Sequence, residues 1–406
     1  MLTVLTPEAA LQCISEHFGP CLPGETVPLA EACGRILADP VTAAEFVPDF
    51  DRATVDGYAI RASDSFGCSD ALPALLRLKG EIAMGAAAET ALRSGECMAI
   101  PTGGALPPGA DAAVMLEYAE DYGDGTIGIL RPAAPGENLI FRGDDVRPGQ
   151  TVLPAGRRLT PQDVGALAAL GIARLTVRAR PRVAVLSTGD ELVPVEVRPG
   201  PGQVRDVNSA LLAALLTRAG AQVQSLGILR DDDAALADAM DAALEQCDAL
   251  LISGGSSVGR KDATCRIIAR AGQVLFHGVA MKPGKPTILG IARGKAVFGL
   301  PGHPAAAAFA AQLFVLPLLR RLAGCAAGLL AVPAALREPV SANHGRAQYM
   351  AAVLEREDGA LYARPVRSKS GLITALAGAD GWFCIPRDCE GLPAGACVDV
   401  FPFDSL

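Results

Sequence analysis

Five short clusters hold residue types and spacings that could do chemistry. Pro48-Asp49-Phe50-Asp51-Arg52-Ala53-Thr54-Val55-Asp56-Gly57-Tyr58-Ala59 sets three carboxylates ahead of an alternating apolar run. Such a loop can gather a hard cation or take a proton, and it reads equally as an acidic solvated turn. Ser187-Thr188-Gly189-Asp190-Glu191 follows the apolar run from Arg182. Polar residues at the carboxyl end of a parallel strand are where open α/β sheets bind ligands, although these also make an ordinary turn. Ser253-Gly254-Gly255-Ser256-Ser257-Val258-Gly259 joins an apolar strand to a helix. Amide groups and a helix dipole at such a junction suit phosphate; a tight strand-to-helix turn is the plain alternative. Gly254 and Gly259 have P-loop spacing, but Arg260-Lys261-Asp262 replaces the Lys-Ser/Thr step, which argues against a standard ATPase. Met281-Lys282-Pro283-Gly284-Lys285-Pro286 projects two ammonium groups from a stiffened turn, suited to oxyanions or to solubility alone. In Gly299-Leu300-Pro301-Gly302-His303-Pro304, His303 is either a ligand contact or a helix-start residue.

Strands alternating with helices must position the last four clusters. From Arg182 the pattern predicts a strand to Leu186, a helix over Ser209 to Ala219 capped by Asn208, and a strand over Gln222 to Leu229. A helix over Asp232 to Gln246, a strand over Ala249 to Ile252 and a helix near Asp262 to Arg270 come next. A strand over Gln273 to Met281, another over Ala296 to Phe298 and a long Ala-rich helix from Ala305 complete the run. That order implies a parallel sheet covered on both faces. Earlier, short runs at Leu75 to Leu78, Glu96 to Ile100, Ala112 to Glu117 and Thr126 to Leu130 predict a β-rich insertion, flanked by helices over Pro7 to His17 and Pro161 to Leu170. Val332 to Phe403 reads as short strands again. The expected segments are 1–47 with 144–180, 48–143, 181–328 and 329–406.

With 406 residues, 50% hydrophobic and 20% charged, the chain has material for several cores. A net charge of −8 and no basic stripe argue against nucleic acid. Charge is uneven: 256–296 carries eight Lys or Arg against Asp262 alone, while Asp231 to Asp248 carries seven acids and no base. If the glycine loops share one sheet edge, the positive segment would draw polyanions to them, and Asp56, Glu191 and Asp231 could hold divalent cations. Eleven cysteines without a Cys-x-x-Cys pair read as reduced core thiols. Met1 to Leu11 has no export-signal pattern, and Pro304 to Leu319, broken by Gln312 and Pro317, falls short of a bilayer span of about 20 residues. A soluble cytoplasmic protein with no membrane partner is the expectation.

Taken in order, these segments resemble the MoeA-type molybdopterin molybdenumtransferases, the family that includes the C-terminal domain of gephyrin. The likeness spans essentially the whole chain. Besides the clusters above, its carriers are Arg142-Gly143-Asp144-Asp145 and Arg230-Asp231-Asp232. Departures are Val55, Arg260-Lys261, His303 and Ser368-Lys369-Ser370-Gly371. The resemblance implies an elongated homodimer of four domains per chain: a central α/β molybdopterin-binding domain, an inserted β-rich domain, a discontinuous linker domain and a C-terminal β domain. It implies a site in a cleft between chains and insertion of molybdenum from molybdate into adenylylated molybdopterin, with Mg²⁺ and release of AMP. By matching position it assigns Asp56, Asp145, Glu191, Asp231 and Asp262 to the essential acids, with Asp56, Glu191 and Asp231 toward Mg²⁺. Thr188, Gly189, Asp190, Ser253, Gly254, Gly255, Ser256, Ser257, Gly259, Lys282, Lys285, Pro301, Gly302 and His303 fall to substrate and phosphate. A molybdopterin adenylyltransferase is the second enzyme reading and the implied upstream partner; a non-catalytic dimeric scaffold is the third.

Overall fold

The computed structural model describes residues 4–87, 89–254, 258–325, 328, 330–367, 369 and 371–403, with the backbone alone over 258–262. The chain divides into two compact units, one of residues 1–39, 155–160 and 174–406, the other of 40–154 and 161–173.

The smaller unit is built on a six-stranded sheet. Its order is Ala112–Met115, Gly57–Ile60, Glu96–Ile100, Ala74–Glu81, Thr126–Ile129 and Ala119–Asp121. Four of them, Ala112–Met115, Glu96–Ile100, Ala74–Glu81 and Thr126–Ile129, fall on the runs that the sequence marks as strands, whereas Gly57–Ile60 lies in the apolar run after Asp56 and Ala119–Asp121 carries no such mark. Tyr58, Ile60, Leu76, Cys97, Val114, Ile127 and Ile129 form its core. Gly57 is required there, because a Cβ would sit 1.8 Å from the Val114 carbonyl oxygen.

The larger unit holds the α/β sheet. Its elements are β1 (Arg182–Thr188), α1 (Val207–Arg218), β2 (Gln222–Leu229), α2 (Asp233–Gln246), β3 (Ala249–Gly254), α3 (Val258–Ala271), β4 (Gly272–His277), β5 (Met281–Lys282), β6 (Ile288–Ala292), β7 (Lys295–Leu300) and α4 (Pro304–Ala310). The sheet order is β2-β1-β3-β7-β6-β4. From β2 to β7 the pairing is parallel, and β1 and β3 are apolar and buried along almost their whole length, as central parallel strands are. The expected all-parallel sheet is corrected at one edge: β6 runs antiparallel to both β7 and β4. The chain doubles back after the Lys282–Pro286 turn, so the single strand read over Gln273 to Met281 is two, β4 and β5.

Helix α1 begins earlier than expected. Its N-cap is Asp206, which accepts from the Ser209 amide, and Asn208 lies inside the first turn. Both residues are good caps, and their separation by two positions hides the choice from sequence. Asp232 caps α2 through the Ala234 and Ala235 amides, and Leu236, Met240, Ala243 and Leu244 form its buried stripe.

Helix α4 continues through a π-helical turn (Ala311–Val315) into a further helix (Leu316–Leu322). The apolar stretch thus spans 19 residues, long enough to cross a membrane by length and composition, but 83% of it is buried as a core helix.

After it come β8 (Val332–Leu336), β9 (Ala347–Glu357), β10 (Ala360–Pro365), β11 (Gly381–Ile385) and β12 (Cys397–Pro402). They pair in the order β9-β10-β8-β12-β11, and the β9–β11 pairing closes a small barrel. Strand β5 joins it, Lys282 standing opposite Gln348 of β9. One core runs from Ala10 and Ile14 of the helix Pro7–His17 through Val185, Leu251 and Phe298 to Phe309, Tyr349 and Trp382. The cysteines are free thiols, but only Cys97 and Cys247 are buried, so most are not core residues.

Candidate functional site

The carboxyl ends of β1, β3 and β7 are tied together by polar contacts. Thr188 of β1 faces Gly254 of β3, whose φ is 152°. A Cβ at Gly254 would lie 2.1 Å from the Thr188 carbonyl oxygen, so only glycine permits this approach. Asn208, 6% exposed, donates from Nδ2 to Ser253 Oγ at 2.7 Å, to the Gly302 carbonyl at 3.0 Å and to the Pro301 carbonyl at 3.4 Å. One carboxamide therefore fixes the ends of β3 and β7. Sequence reasoning took Asn208 as a cap; its hydrogen-bonding work is visible only once the strands are in register.

At the end of β1, Asp190 and Asp231 bridge reciprocally. The Asp231 amide donates to Asp190 Oδ1 at 3.2 Å, and the Asp190 amide donates to Asp231 Oδ2 at 3.4 Å. The exposed Glu191 carboxylate folds over Gly189. Asp190 and Asp231 thus meet, while Asp56, which the sequence set beside Glu191 and Asp231 toward a cation, belongs to the smaller unit. Among the described residues no three His, Cys, Asp or Glu side chains form a metal-holding group. Gly255, Ser256 and Ser257 lie outside the described residues, and Gly259 and Asp262 are placed only by their backbone in α3.

Past the end of β7 lies a cavity of about 700 Å³. Lys282, Lys285, Pro301, Gly302 and His303 line it as the sequence suggested, with His303 also the residue before α4. The structure adds Arg346, Arg367 and Lys369 to the cations, and Phe309, Gln348 and Tyr349 to the wall. The Tyr349 ring packs 5.6 Å from Trp382, and burial pushes its hydroxyl far above the usual phenol range, so it stays protonated. Sequence missed Arg346, Gln348 and Tyr349 because they sit at or just before the start of β9, some sixty residues beyond the lysine turn. The continuous apolar run from Tyr349 to Leu354 was the available signal.

The basic segment divides in the fold. Arg266 pairs with Asp233 at 2.8 Å, Arg293 with Asp241 at 3.2 Å and Glu245 at 3.4 Å, and the Lys295 ammonium donates to the Leu244 carbonyl. Among the described cations of that segment, Lys282 and Lys285 are the two that line the cavity. These two thus join the barrel cations at the cavity, and Arg266 and Arg293 are offset by acids of α2.

In the smaller unit, Asp56 Oδ1 accepts from the Thr102 amide at 2.7 Å, just before Gly57. Asp51 Oδ1 accepts from the Arg142 amide at 2.7 Å, and Arg142 pairs with Asp49 at 2.9 Å while lying over the Phe46 ring. Asp145, exposed, follows on the same loop. The 48–51 and 142–145 motifs therefore meet, and Asp56 stands on a separate turn.

Known proteins match this architecture from end to end. Family models describe residues 5–171 as the MoeA N-terminal region (domain I and II), 184–321 as a probable molybdopterin binding domain and 333–403 as the MoeA C-terminal region (domain IV). Molybdopterin molybdenumtransferase 2 of Mycobacterium tuberculosis is 35% identical over 402 residues, covering 96% of this chain and 97% of its own length. The chain belongs to the MoeA family. Another relative, the molybdopterin molybdenumtransferase of Bacillus subtilis, is 33% identical over 390 residues, 95% of this chain and 91% of that one. The crystal structure of the molybdopterin biosynthesis moeA protein from Pyrococcus horikoshii OT3 superposes with a TM-score of 0.88 at 32% identity, covering 98% of this chain and 100% of that one. The MoeA fold thus accounts for the insertion, the α/β sheet and the closing barrel together.

Proposed function

We propose that the protein is a molybdopterin molybdenumtransferase of molybdenum cofactor biosynthesis, using molybdate and adenylylated molybdopterin and releasing AMP. The observation that carries the reading is the cavity at the end of β7, where Lys282, Lys285 and Arg346 converge. Ammonium and guanidinium groups on fixed elements suit a dianionic oxyanion and a phosphate, whose charge they offset in a partly enclosed space. Two strand spacings away, roughly 10 Å, the β1 end presents Asp190, Glu191 and Asp231. A ligand with an anion at one end and a diphosphate at the other can lie across the ends of β7, β3 and β1. The end of β3 at Ser253 and Gly254, with Ser253 held by Asn208, lies between them, and the glycine- and serine-rich sequence that follows suits phosphate oxygens.

Magnesium commonly takes one or two protein carboxylates and completes its shell with water and substrate phosphates, which the Asp190–Asp231 pair fits. There it would neutralise the diphosphate whose cleavage frees AMP. Asp56, Asp145 and Asp262 complete the proposed acidic set, and the proposed protein is a cytoplasmic homodimer of four-domain chains supplied by an adenylyltransferase. That the relatives named as transferases match nearly the full length argues against the adenylyltransferase alternative for this chain.

The test supplies purified protein with adenylylated molybdopterin, magnesium and molybdate. AMP release and a product that reconstitutes an apo-molybdoenzyme are expected; no AMP release would sink the assignment.

A further inference from the structure

Gln348 is 9% exposed, stands in the cavity wall and lies directly opposite Lys282 across the β5–β9 pairing. Residues in register on paired strands share a face, so the carboxamide and the ammonium belong to one patch of the wall. The Gln348 Nε2 donates to the Ser341 carbonyl at 3.3 Å, which fixes the orientation of the amide, since a carbonyl cannot face a carbonyl. Its Oε1 is buried and meets no donor among the described residues. A buried acceptor left unpaired is costly, and folded proteins rarely keep one without a use. Among the described residues that long bond is the carboxamide's one hydrogen bond, and it is all that a turn of the side chain toward the cavity would break.

The surroundings say what donor would repay that turn. The cations nearby are donors already held on the protein, but they suit anionic oxygens, and a tetrahedral oxyanion brings no N–H of its own. A cavity of about 700 Å³ is of the size that holds a whole small organic molecule. Phe309 and Tyr349 give it aromatic surface, each held by contact with Trp382 at 6.3 and 5.6 Å between ring centres. Aromatic carbon in the wall suits an apolar, planar body, the lysines favour an anion, and an orphaned acceptor favours an N–H.

We infer that Gln348 is a specificity-determining residue whose carboxamide oxygen accepts an N–H from a planar nitrogen heterocycle carrying an anionic group held by Lys282 and Lys285. This deepens the function proposed above and rests on it for the choice of a pterin as that heterocycle. The cavity then reads two features of one ligand, and molybdate alone satisfies only the lysines.

Calorimetric titration of the full-length protein with molybdate and with a phosphorylated pterin tests this. In Gln348→Leu the pterin phosphate is expected to bind about tenfold more weakly and molybdate within about twofold of wild type. The melting temperature should not fall, because an unpaired acceptor has been removed. Should the leucine variant fail to fold, Gln348→Met, which keeps the length and loses the acceptor, carries the same test. With wild-type protein, methylating the ring N–H of the probe should cost the same factor, and should cost nothing more in the leucine variant. Equal losses for molybdate and pterin phosphate, wild-type affinity in the variants, or no pterin binding at all would overturn the inference. Failure to release AMP while pterin binding still depends on Gln348 would strike the reaction and leave this assignment standing.

Discussion

Lys282 and Arg293 lie eleven residues apart in one basic run, yet the fold gives them different surroundings. Arg293, at the turn between β6 and β7, is nearly half exposed and spans Asp241 and Glu245 of α2. Lys282, on β5, is drawn away from the α/β sheet into the barrel pairing and faces the cavity with Lys285. An acid in contact neutralises a cation, so what decides availability for a ligand is which element the cation rides on, not its place in a charged stretch. Uneven charge along a sequence thus marks ion pairing with a neighbouring element as readily as a binding site.

Replacing the cavity lysines should break this contrast most visibly. Lys282→Ala and Lys285→Ala are expected to lower AMP release by about 10² to 10³-fold, the range for losing one charge-stabilising donor, with melting temperatures near wild type. Steady-state assays beside thermal melts check this, and wild-type rates in both would erase the distinction. A smaller effect, on stability, is expected for Asn208→Ala. Losing the donor that joins Ser253 to the Pro301-Gly302 turn should cost about 1–3 kcal/mol in denaturant unfolding. The turnover of that variant should also fall, because the two strand ends are no longer held in one geometry. Smallest of all, Arg293→Ala should change stability by about 0.5 kcal/mol or less and leave AMP release unchanged. A large loss of activity there would mean that the basic run acts as a whole after all.

Much of the α/β unit was legible because its signals are local. The strand over Gln222–Leu229 falls where alternation with helices put it, and α2 runs from Asp233 with Asp232 as cap. The β-rich runs of the insertion were legible for the same reason. Pairing direction was not: nothing in Ile288–Ala292 states that it runs against its neighbours, since buried strands of either sense are apolar. Half of the cavity wall was also hidden. Lys282 and His303 stand in Pro- and Gly-marked turns that sequence singles out, whereas Arg346, Gln348 and Tyr349 reach them only through long-range pairing. The acids divide similarly, Asp190 and Asp231 meeting across two strand ends that parallel order implies.

The helical run from Pro304 to Leu322 bears on how the chain is made. Its Phe309 packs against Tyr349 and Trp382, which leave the ribosome only after the helix has emerged. Until the barrel strands are synthesised, a 19-residue apolar helix has one flank uncovered. Synthesis that stalls near residue 330 would therefore yield a nascent chain prone to chaperone capture and aggregation, and the barrel would act as the cover that completes its release.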